Sequence, residues 1–265
     1  MLAELAKPCW PTRPCRQRRL SWPVNTPLPS WPDVRYESIM LQICLTNTKG
    51  GVSKSTLASQ LALWLYDLGY RVGLLDVDPQ GTSSGWIRQA ESGIAVRTAE
   101  TLDEVERARI ELSSEIDVLV FDTPGNNRSD MAQAATILAD IALIPLQPSK
   151  ADLRELKNAL TYVKLGQAVS GGRKPKATIV ITMTSKGDLQ TRRLRSDLEQ
   201  FELPVAKSEI RRLNALRDGY GGAVIRSQAK DAQLAAADLT ALFEEVLGPT
   251  LRTLPSPTLR RAGNE

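Results

Sequence analysis

Short runs of consecutive apolar residues, separated by stretches with helical periodicity, constrain the fold of this chain most strongly. Residues 118–121 and 141–144 are two such runs, and no polar residue interrupts either of them. A strand has this composition where both of its faces are covered, as in a parallel sheet with helices on either side. The sequence therefore predicts an α/β fold, a single doubly wound domain with a mainly parallel β-sheet flanked by helices.

The same periodicity gives approximate positions for the elements. We predict strands at 41–46, 71–76, 117–122, 140–145 and 177–183, with a shorter strand near 204–207. We predict helices at about 55–69, 102–113, 128–138, 151–167, 189–201 and 228–247. Apolar residues recur at helical spacing in the first helix, which we therefore expect to pack on the sheet: Leu57, Leu61, Ala62 and Leu65.

The two ends of the chain differ from its centre. Residues 1–39 hold seven of the 16 Pro and show neither helical nor strand periodicity, which predicts a disordered extension or an upstream sequence included by a mis-assigned start. We assign 40–249 to the globular domain and 250–265 to a flexible tail. No apolar run approaches the roughly 20 residues that a membrane-spanning helix needs, so we expect no membrane partner.

Composition excludes several kinds of active site. The chain has no His, so a His general base, a Ser-His-Asp triad and a His-ligated metal are absent. Its three Cys form no C-x-x-C pair, which argues against a zinc ribbon or a disulfide scaffold. The chemistry that remains uses backbone amides, Lys, Asp and a metal ion.

A glycine-containing loop lies between the first predicted strand and the first predicted helix. Residues 48–56 read Thr-Lys-Gly-Gly-Val-Ser-Lys-Ser-Thr, and successive N–H groups of such a loop converge on phosphate oxygens. Lys54 would neutralise the β- and γ-phosphates, and the Ser55 hydroxyl would coordinate Mg²⁺. A simple strand-to-helix turn is the alternative interpretation of this loop alone.

Acidic residues at the ends of two further strands strengthen the phosphate interpretation. Asp76 and Asp78 close the second predicted strand, and Asp122 closes the third. The carboxyl ends of parallel strands line the ligand crevice, so these three residues should converge with Lys54. Each Asp on its own could instead cap a helix.

The motifs KGGVSKST, DVDPQG and VFDTPG together resemble those of ParA-type DNA-partition ATPases, within the ParA/MinD superfamily of deviant Walker A P-loop ATPases. The resemblance covers about 40–247, and the absence of room for an N-terminal helix-turn-helix domain resembles the short ParA class. It implies a P-loop NTPase domain, the cofactors ATP and Mg²⁺, and slow hydrolysis of ATP that a partner stimulates.

The resemblance also implies roles for individual residues. Lys49 would be the signature lysine that crosses to the partner's phosphates, Lys54 the lysine acting in its own chain, and Asp78 the residue that orients the attacking water. Ser55 and Asp122 would hold Mg²⁺, with Asp76 supporting the metal side. The nucleotide phosphates would be bound by residues 49–56, namely Lys49, Gly50, Gly51, Val52, Ser53, Lys54, Ser55 and Thr56.

Two positions depart from the pattern of the family. Ser53 stands where KGGxGK has Gly, and a positive φ at Ser53 would cost on the order of 1 kcal/mol relative to Gly. The late strand ends in Thr184-Ser185, without the Asn that many relatives have near the adenine, so adenine selectivity rests on the resemblance alone.

The resemblance implies three partners: a second copy of the chain in an ATP-dependent sandwich homodimer, non-specific DNA, and a separate ParB-like centromere-binding protein. It implies a bacterial cytoplasmic, nucleoid-associated location. Residues 173–217 contain eleven Lys/Arg against five acidic residues, a net charge of +6 that would suit DNA phosphates. The candidate contacts are Arg192, Arg193, Arg195, Arg211 and Arg217; an ordinary solvated surface is the alternative.

These features favour a protein that segregates plasmid or chromosomal DNA. Two other functions stay open on the sequence. One is a P-loop ligase or kinase acting on a small metabolite. The other is an ATP-gated adaptor that does not hydrolyse ATP, which the substitution at Ser53 suggests.

Overall fold

The computed structural model describes residues 40–255, except for residues 91, 126–128, 186 and 218–222. The predictions for residues 1–39 and for most of the tail lie outside this range.

The described residues form a seven-stranded sheet in which every pair of neighbours is parallel, with the order β3-β2-β4-β1-β5-β6-β7. Its strands are β1 (Leu41–Leu45), β2 (Val72–Asp76), β3 (Ala95–Thr98), β4 (Val118–Asp122), β5 (Ile141–Leu146), β6 (Lys176–Thr184) and β7 (Ile210–Arg211). The predicted fold class is confirmed. Because β1 is central and its neighbours are β4 and β5, the strand order reverses there and opens a crevice at the carboxyl ends.

Helices cover both faces of this sheet. They are α1 (Lys54–Asp67), α2 (Thr82–Gln89), α3 (Leu102–Ser113), α4 (Ser129–Leu138), α5 (Lys150–Val169), α6 (Leu189–Leu198), α7 (Asn214–Arg217) and α8 (Lys230–Leu251). Short 3₁₀ turns occupy Glu199–Phe201 and Val224–Arg226. None of the helices in the described part of the chain is both long enough and apolar enough to cross a membrane.

The core explains why the strands have uninterrupted apolar sequences. Every residue of β1, β2, β4 and β5 is buried. Helices α1 and α8 cover one face and meet through the rings of Trp64 and Phe243, whose centroids are 5.5 Å apart. Helices α3 and α4 cover part of the other face, and α5 and α6 cover the rest. The predicted apolar face of α1 is buried.

Some elements differ from the predictions. Strand β3 and helix α2 were not predicted, because the edge strand β3 has an exposed second half and α2 has eight residues that include Gly85. The predicted strand near 204–207 is wrong, since that segment makes one bridge, between Val205 and Ile179, and the last strand is β7. Helix α8 continues to Leu251, so the first two residues of the predicted tail are helical.

Candidate nucleotide and magnesium site

A cavity of about 560 Å³ lies at the carboxyl ends of the central strands. The loop between β1 and α1 forms one wall, and the segment after β2 forms another. Seven of the predicted nucleotide-site residues line this cavity together: Gly50, Gly51, Ser53, Lys54, Ser55, Thr56 and Asp78. Four others do not form part of its lining: Lys49, Val52, Asp76 and Asp122. Met183, near the end of β6, and Leu216 of α7 add apolar surface to the cavity. The cavity therefore combines cationic, hydroxyl and acidic groups with an apolar wall.

The phosphate loop takes the left-handed backbone conformation at two positions. Gly51 has φ +74° and Ser53 has φ +73°, and Ser53 is also the N-cap of α1, where its side chain makes no capping hydrogen bond. The positive φ on which the strain at Ser53 depends is therefore present. Gly125, after β4, packs directly on the loop, because a Cβ there would lie 2.8 Å from the Cα of Gly50. The segment after β4 that contains Gly125 therefore packs against the phosphate loop.

Lys54 is held inside the loop. Its side chain is buried, and its Nζ donates a 2.9 Å hydrogen bond to the carbonyl of Lys49. Burial lowers the pKa of Lys54, while the charges of Asp122 and Asp78 act in the opposite direction. Lys54 is consequently a preorganised cation whose desolvation would be relieved by an anion such as a phosphate.

Asp122 is a fully buried carboxylate at the end of β4. Its exposure is 0%, and neither of its oxygens accepts a hydrogen bond of normal geometry from a residue that the structure describes. Burial, together with the charge of Asp76, raises the pKa of Asp122 to about 7, although the hydroxyls of Ser55 and Ser83 and the charge of Lys54 act in the opposite direction. A bound cation is the partner that such a group needs.

The donor set fits Mg²⁺ that is bound together with phosphate. The described residues contain no group of three or more His, Cys, Asp or Glu placed to hold a metal. Mg²⁺ commonly uses one or two protein oxygens and completes its shell with phosphate oxygens and water. Asp122 and Ser55 would supply the protein oxygens, as the sequence predicted.

Asp76 is engaged elsewhere. Its Oδ1 accepts the N–H of Asp78 at 3.1 Å, and its Oδ2 accepts the N–H of Ser84 at 2.9 Å. Both oxygens therefore fix the segment from β2 to α2, and Asp76 acts on the predicted metal site through its charge on Asp122. Asp78 is half-buried and accepts the N–H of Gln80 through Oδ1, at 3.0 Å.

Lys49 does not line the cavity that Lys54 borders. Its Nζ lies 2.5 Å from Oδ2 of Asp152, a fully buried residue in the first turn of α5. The preceding residue is tied to the same helix, since Thr48 Oγ1 donates to Glu155 Oε2 at 2.9 Å. Sequence reasoning missed Asp152. The available clue was Ser149, whose hydroxyl caps α5 by accepting the Asp152 N–H.

The predicted DNA-binding arginines have different environments. Arg195 pairs with Glu209, and Arg211 forms a two-pronged pair with Asp238, so both hold α6, β7 and α8 together. Arg192 and Arg193 are exposed on α6, and neither forms an ion pair within the described part of the chain. Arg217 ends α7, and its side chain lies outside the described atoms.

The basic segment 173–217 is also divided in space. Arg173, Lys174 and Lys176 border a separate cavity at the amino end of β6, together with Leu41 at the start of β1. Arg212 follows β7 at the opposite, carboxyl edge, where it borders a cavity with Gln147 and Asp188. The net charge of +6 is therefore not one continuous patch.

The chain is similar to known nucleotide-binding proteins. The family described as the CobQ/CobB/MinD/ParA nucleotide binding domain matches residues 43–221. The maintenance of carboxysome distribution protein A of Halothiobacillus neapolitanus is 26% identical over 211 residues, which cover 77% of this chain and 95% of that protein. The sporulation initiation inhibitor protein Soj of Bacillus subtilis is 35% identical over 122 residues, 46% of this chain and 44% of Soj.

Solved structures share the fold. An ATP complex of McdA from Cyanothece superposes with a TM-score of 0.62 at 16% identity, covering 80% of this chain and 96% of that one. Cobyrinic acid a,c-diamide synthase from Mycobacterium smegmatis, with an ATP analogue and magnesium, gives a TM-score of 0.60 at 20% identity, covering 82% and 99%.

Proposed function

The chain belongs to the CobQ/CobB/MinD/ParA nucleotide-binding family, and on this basis we propose that it is a ParA-type partition ATPase. As a member of this family it is a P-loop ATPase, with ATP and Mg²⁺ as its cofactors. We propose that the ATP-bound form is a sandwich homodimer that binds non-specific DNA and segregates plasmid or chromosomal DNA. A ParB-like centromere-binding protein would stimulate hydrolysis.

The arrangement of the two loop lysines carries the proposal. Lys54 is buried at the cavity. The side chain of Lys49, in contrast, is 30% exposed and forms an ion pair with Asp152 of α5. One chain thus offers a single loop lysine to its own nucleotide. Phosphoryl transfer is helped mainly by charge stabilisation, so a second lysine delivered by a partner copy would couple hydrolysis to dimerisation.

Exposed basic residues support DNA as the track. Arg192 and Arg193 project from α6 without an ion pair to any described residue, whereas Arg195 and Arg211 are committed to pairs. We therefore narrow the candidate contacts on α6 to Arg192 and Arg193. Phosphate contacts of this kind need no base recognition, and their strength falls steeply with salt.

The decisive measurement is co-sedimentation with non-specific duplex DNA in ATP or ADP, at two salt concentrations. We expect binding only with ATP, and weaker binding at the higher salt. The double change Arg192→Ala with Arg193→Ala should weaken binding severalfold. Its matched control, Arg173→Ala with Lys176→Ala, removes the same charge at the opposite edge of the sheet and should have little effect. Binding that is independent of ATP, or no binding, would refute this function.

The cargo need not be DNA. The relative from Halothiobacillus neapolitanus, which is matched over 95% of its length, is named for carboxysome distribution. The second candidate function is therefore the positioning of a cargo other than DNA, by a dimer that still binds DNA. It shares the ATP-dependent DNA binding and differs in the stimulating partner, so it would be favoured if a cargo-bound adaptor, rather than a centromere-binding protein, accelerated hydrolysis.

Two other functions are tested by turnover. A small-metabolite ligase is suggested by the fold shared with cobyrinic acid a,c-diamide synthase. It would consume ATP only when its metabolite is added. A non-hydrolysing adaptor, suggested by Ser53, would dimerise with ATP but show equal and negligible turnover in the wild type and in Asp78→Ala.

A further inference from the structure

Two neighbouring polar side chains near the nucleotide cavity are buried with no hydrogen-bond partner of normal geometry among the residues that the structure describes. One is Asp122 at the end of β4, and the other is Ser83 in the first turn of α2. Ser83 is 0% exposed, and its hydroxyl has no partner of normal geometry among the described residues. Ser83 lies beside Asp122 because the next residue, Ser84, donates its N–H to Asp76, and Asp76 is the register partner of Asp122 in the sheet. The effect of the Ser83 hydroxyl on the pKa of Asp122 agrees with this placement.

An unpartnered hydroxyl in the core is costly. Leaving a buried donor or acceptor unsatisfied destabilises a fold, and most buried polar groups are paired. The adjacent Ser84 shows the usual arrangement, since its hydroxyl donates to the Gly81 carbonyl at 2.9 Å and its N–H donates to Asp76. Ser83 therefore differs from its neighbour, because its hydroxyl lies beside Asp122 yet makes no hydrogen bond of normal geometry with any described residue.

We propose that Ser83 is a positioning residue of the Mg²⁺ site. When the metal and nucleotide bind, its hydroxyl donates a hydrogen bond to Asp122 and orients the carboxylate toward the cation. A hydroxyl can donate to an ionised carboxylate while the carboxylate's other lone pairs face the metal. Partners of this kind around a ligand typically change metal affinity by about 10–100-fold. The inference rests on Mg²⁺–ATP binding and is independent of the proposed DNA segregation.

This contact would also join the metal site to helix α2. Ser83 lies in α2, which follows the loop that contains Asp78. Helix α2 also contains Trp86, which lines the nucleotide cavity. Asp76 already fixes the backbone of both Asp78 and Ser84. Binding of the metal would therefore affect the conformation of the whole segment from β2 to α2.

The test compares Ser83→Ala with Ser84→Ala in the full chain. Thermal unfolding is followed at fixed ATP while MgCl₂ is titrated, and ATP binding is measured separately in EDTA. Ser83→Ala should unfold at the same or a higher temperature than the wild type without metal, because it removes an unsatisfied hydroxyl. It should bind ATP normally in EDTA, and its Mg²⁺ midpoint should rise roughly tenfold.

Ser84→Ala should give the opposite pattern. It loses a satisfied hydrogen bond, so its unfolding temperature should fall while its Mg²⁺ midpoint stays near the wild-type value. Ser83→Cys, which retains a weaker donor, should have a midpoint between those of Ser83→Ala and the wild type. An unchanged midpoint in Ser83→Ala, or equal changes in the Ser83→Ala and Ser84→Ala midpoints, would overturn the proposal.

Discussion

Lys49 and Asp152 form an ion pair within one chain, with Nζ 2.5 Å from Oδ2, although 102 residues separate them in the sequence. Asp152 also accepts a hydrogen bond from the Ser149 hydroxyl and donates its N–H to the same oxygen, so both contacts hold it at the start of α5. A lysine held in this way is not available to a second nucleotide. If Lys49 acts on the phosphates of a partner, dimerisation must exchange this pair for the new contact.

Weakening the pair should therefore favour the dimer. Asp152→Asn keeps an oxygen for Ser149 but removes the charge that holds Lys49. The pair joins a fully buried carboxylate to a lysine that is 30% exposed, so breaking it costs more than breaking a surface pair, and we expect the ATP-dependent dimer of Asp152→Asn to tighten at least severalfold. Sedimentation in ATP at several protein concentrations measures this change.

Glu155→Gln is the matched control for Asp152→Asn. It removes a charge from the same turn of α5 but keeps an oxygen that can accept the Thr48 hydroxyl, and it leaves the Lys49 pair intact. Its dimer affinity should equal that of the wild type. A weaker dimer in Asp152→Asn would mean that the intrachain pair supports assembly and does not compete with it.

The two loop lysines should separate binding from turnover. Lys49→Ala should retain nucleotide binding by the monomer, because Lys49 lies outside the cavity, but should lose hydrolysis. Lys54→Ala should lose both, since Lys54 is the buried cation of the loop. Fluorescent-nucleotide titration and phosphate release report the two properties. Normal turnover in Lys49→Ala would remove its catalytic role.

Asp122 should make the stability of the metal-free protein depend on pH. Its pKa is about 7 in the fold against an ordinary value of 3.8, so between these pH values the folded chain keeps a proton that the unfolded chain releases. Its contribution to stability must fall as pH rises through this window, by a few kcal/mol at most. Urea unfolding in EDTA from pH 4 to pH 8 should show a shallower decline in Asp122→Asn.

Mg²⁺–ATP should remove most of the fall in wild-type stability with rising pH, because the cation stabilises the ionised carboxylate of Asp122. Mg²⁺ binding by the wild type should correspondingly weaken below about pH 7, where Asp122 holds its proton. Parallel pH profiles for the wild type and Asp122→Asn without metal would show that another group is responsible.

What the sequence could predict was set mainly by local patterns. The apolar runs of β4 and β5 and the face of α1 follow from covered strands and helical spacing, and motif order placed Lys54, Ser55 and Asp78 in one cavity. The pairs Lys49–Asp152 and Arg211–Asp238 join distant segments, and no local pattern encodes them. The sequence suggested that the basic residues of 173–217 form one patch. It does not show that β6 separates them, with some at the amino ends of the strands and others at the carboxyl ends.

Ser53 offers the most direct test of the loop itself. A side chain at φ +73° is strained by about 1 kcal/mol relative to Gly, so Ser53→Gly should raise the free energy of unfolding by a similar amount, less the greater freedom of Gly in the unfolded chain. Gly51→Ala is the converse change: Gly51 has nearly the same φ, +74°, and an added Cβ there meets nothing within 4 Å, so it should be destabilising through backbone strain alone.

Turnover in these variants distinguishes strain from crowding at the phosphates. Ser53 lines the nucleotide cavity, and replacing it with Gly removes its Cβ and Oγ from the surface that faces the ligand. If side-chain atoms at this surface slow hydrolysis, Ser53→Gly should raise the single-turnover rate of ATP cleavage severalfold, while Gly51→Ala, which adds a Cβ to the lining of the same cavity, should lower it. If the rate and stability of Ser53→Gly both equal the wild-type values, the serine is neither strained nor obstructive, and the departure from the glycine pattern has no consequence for catalysis.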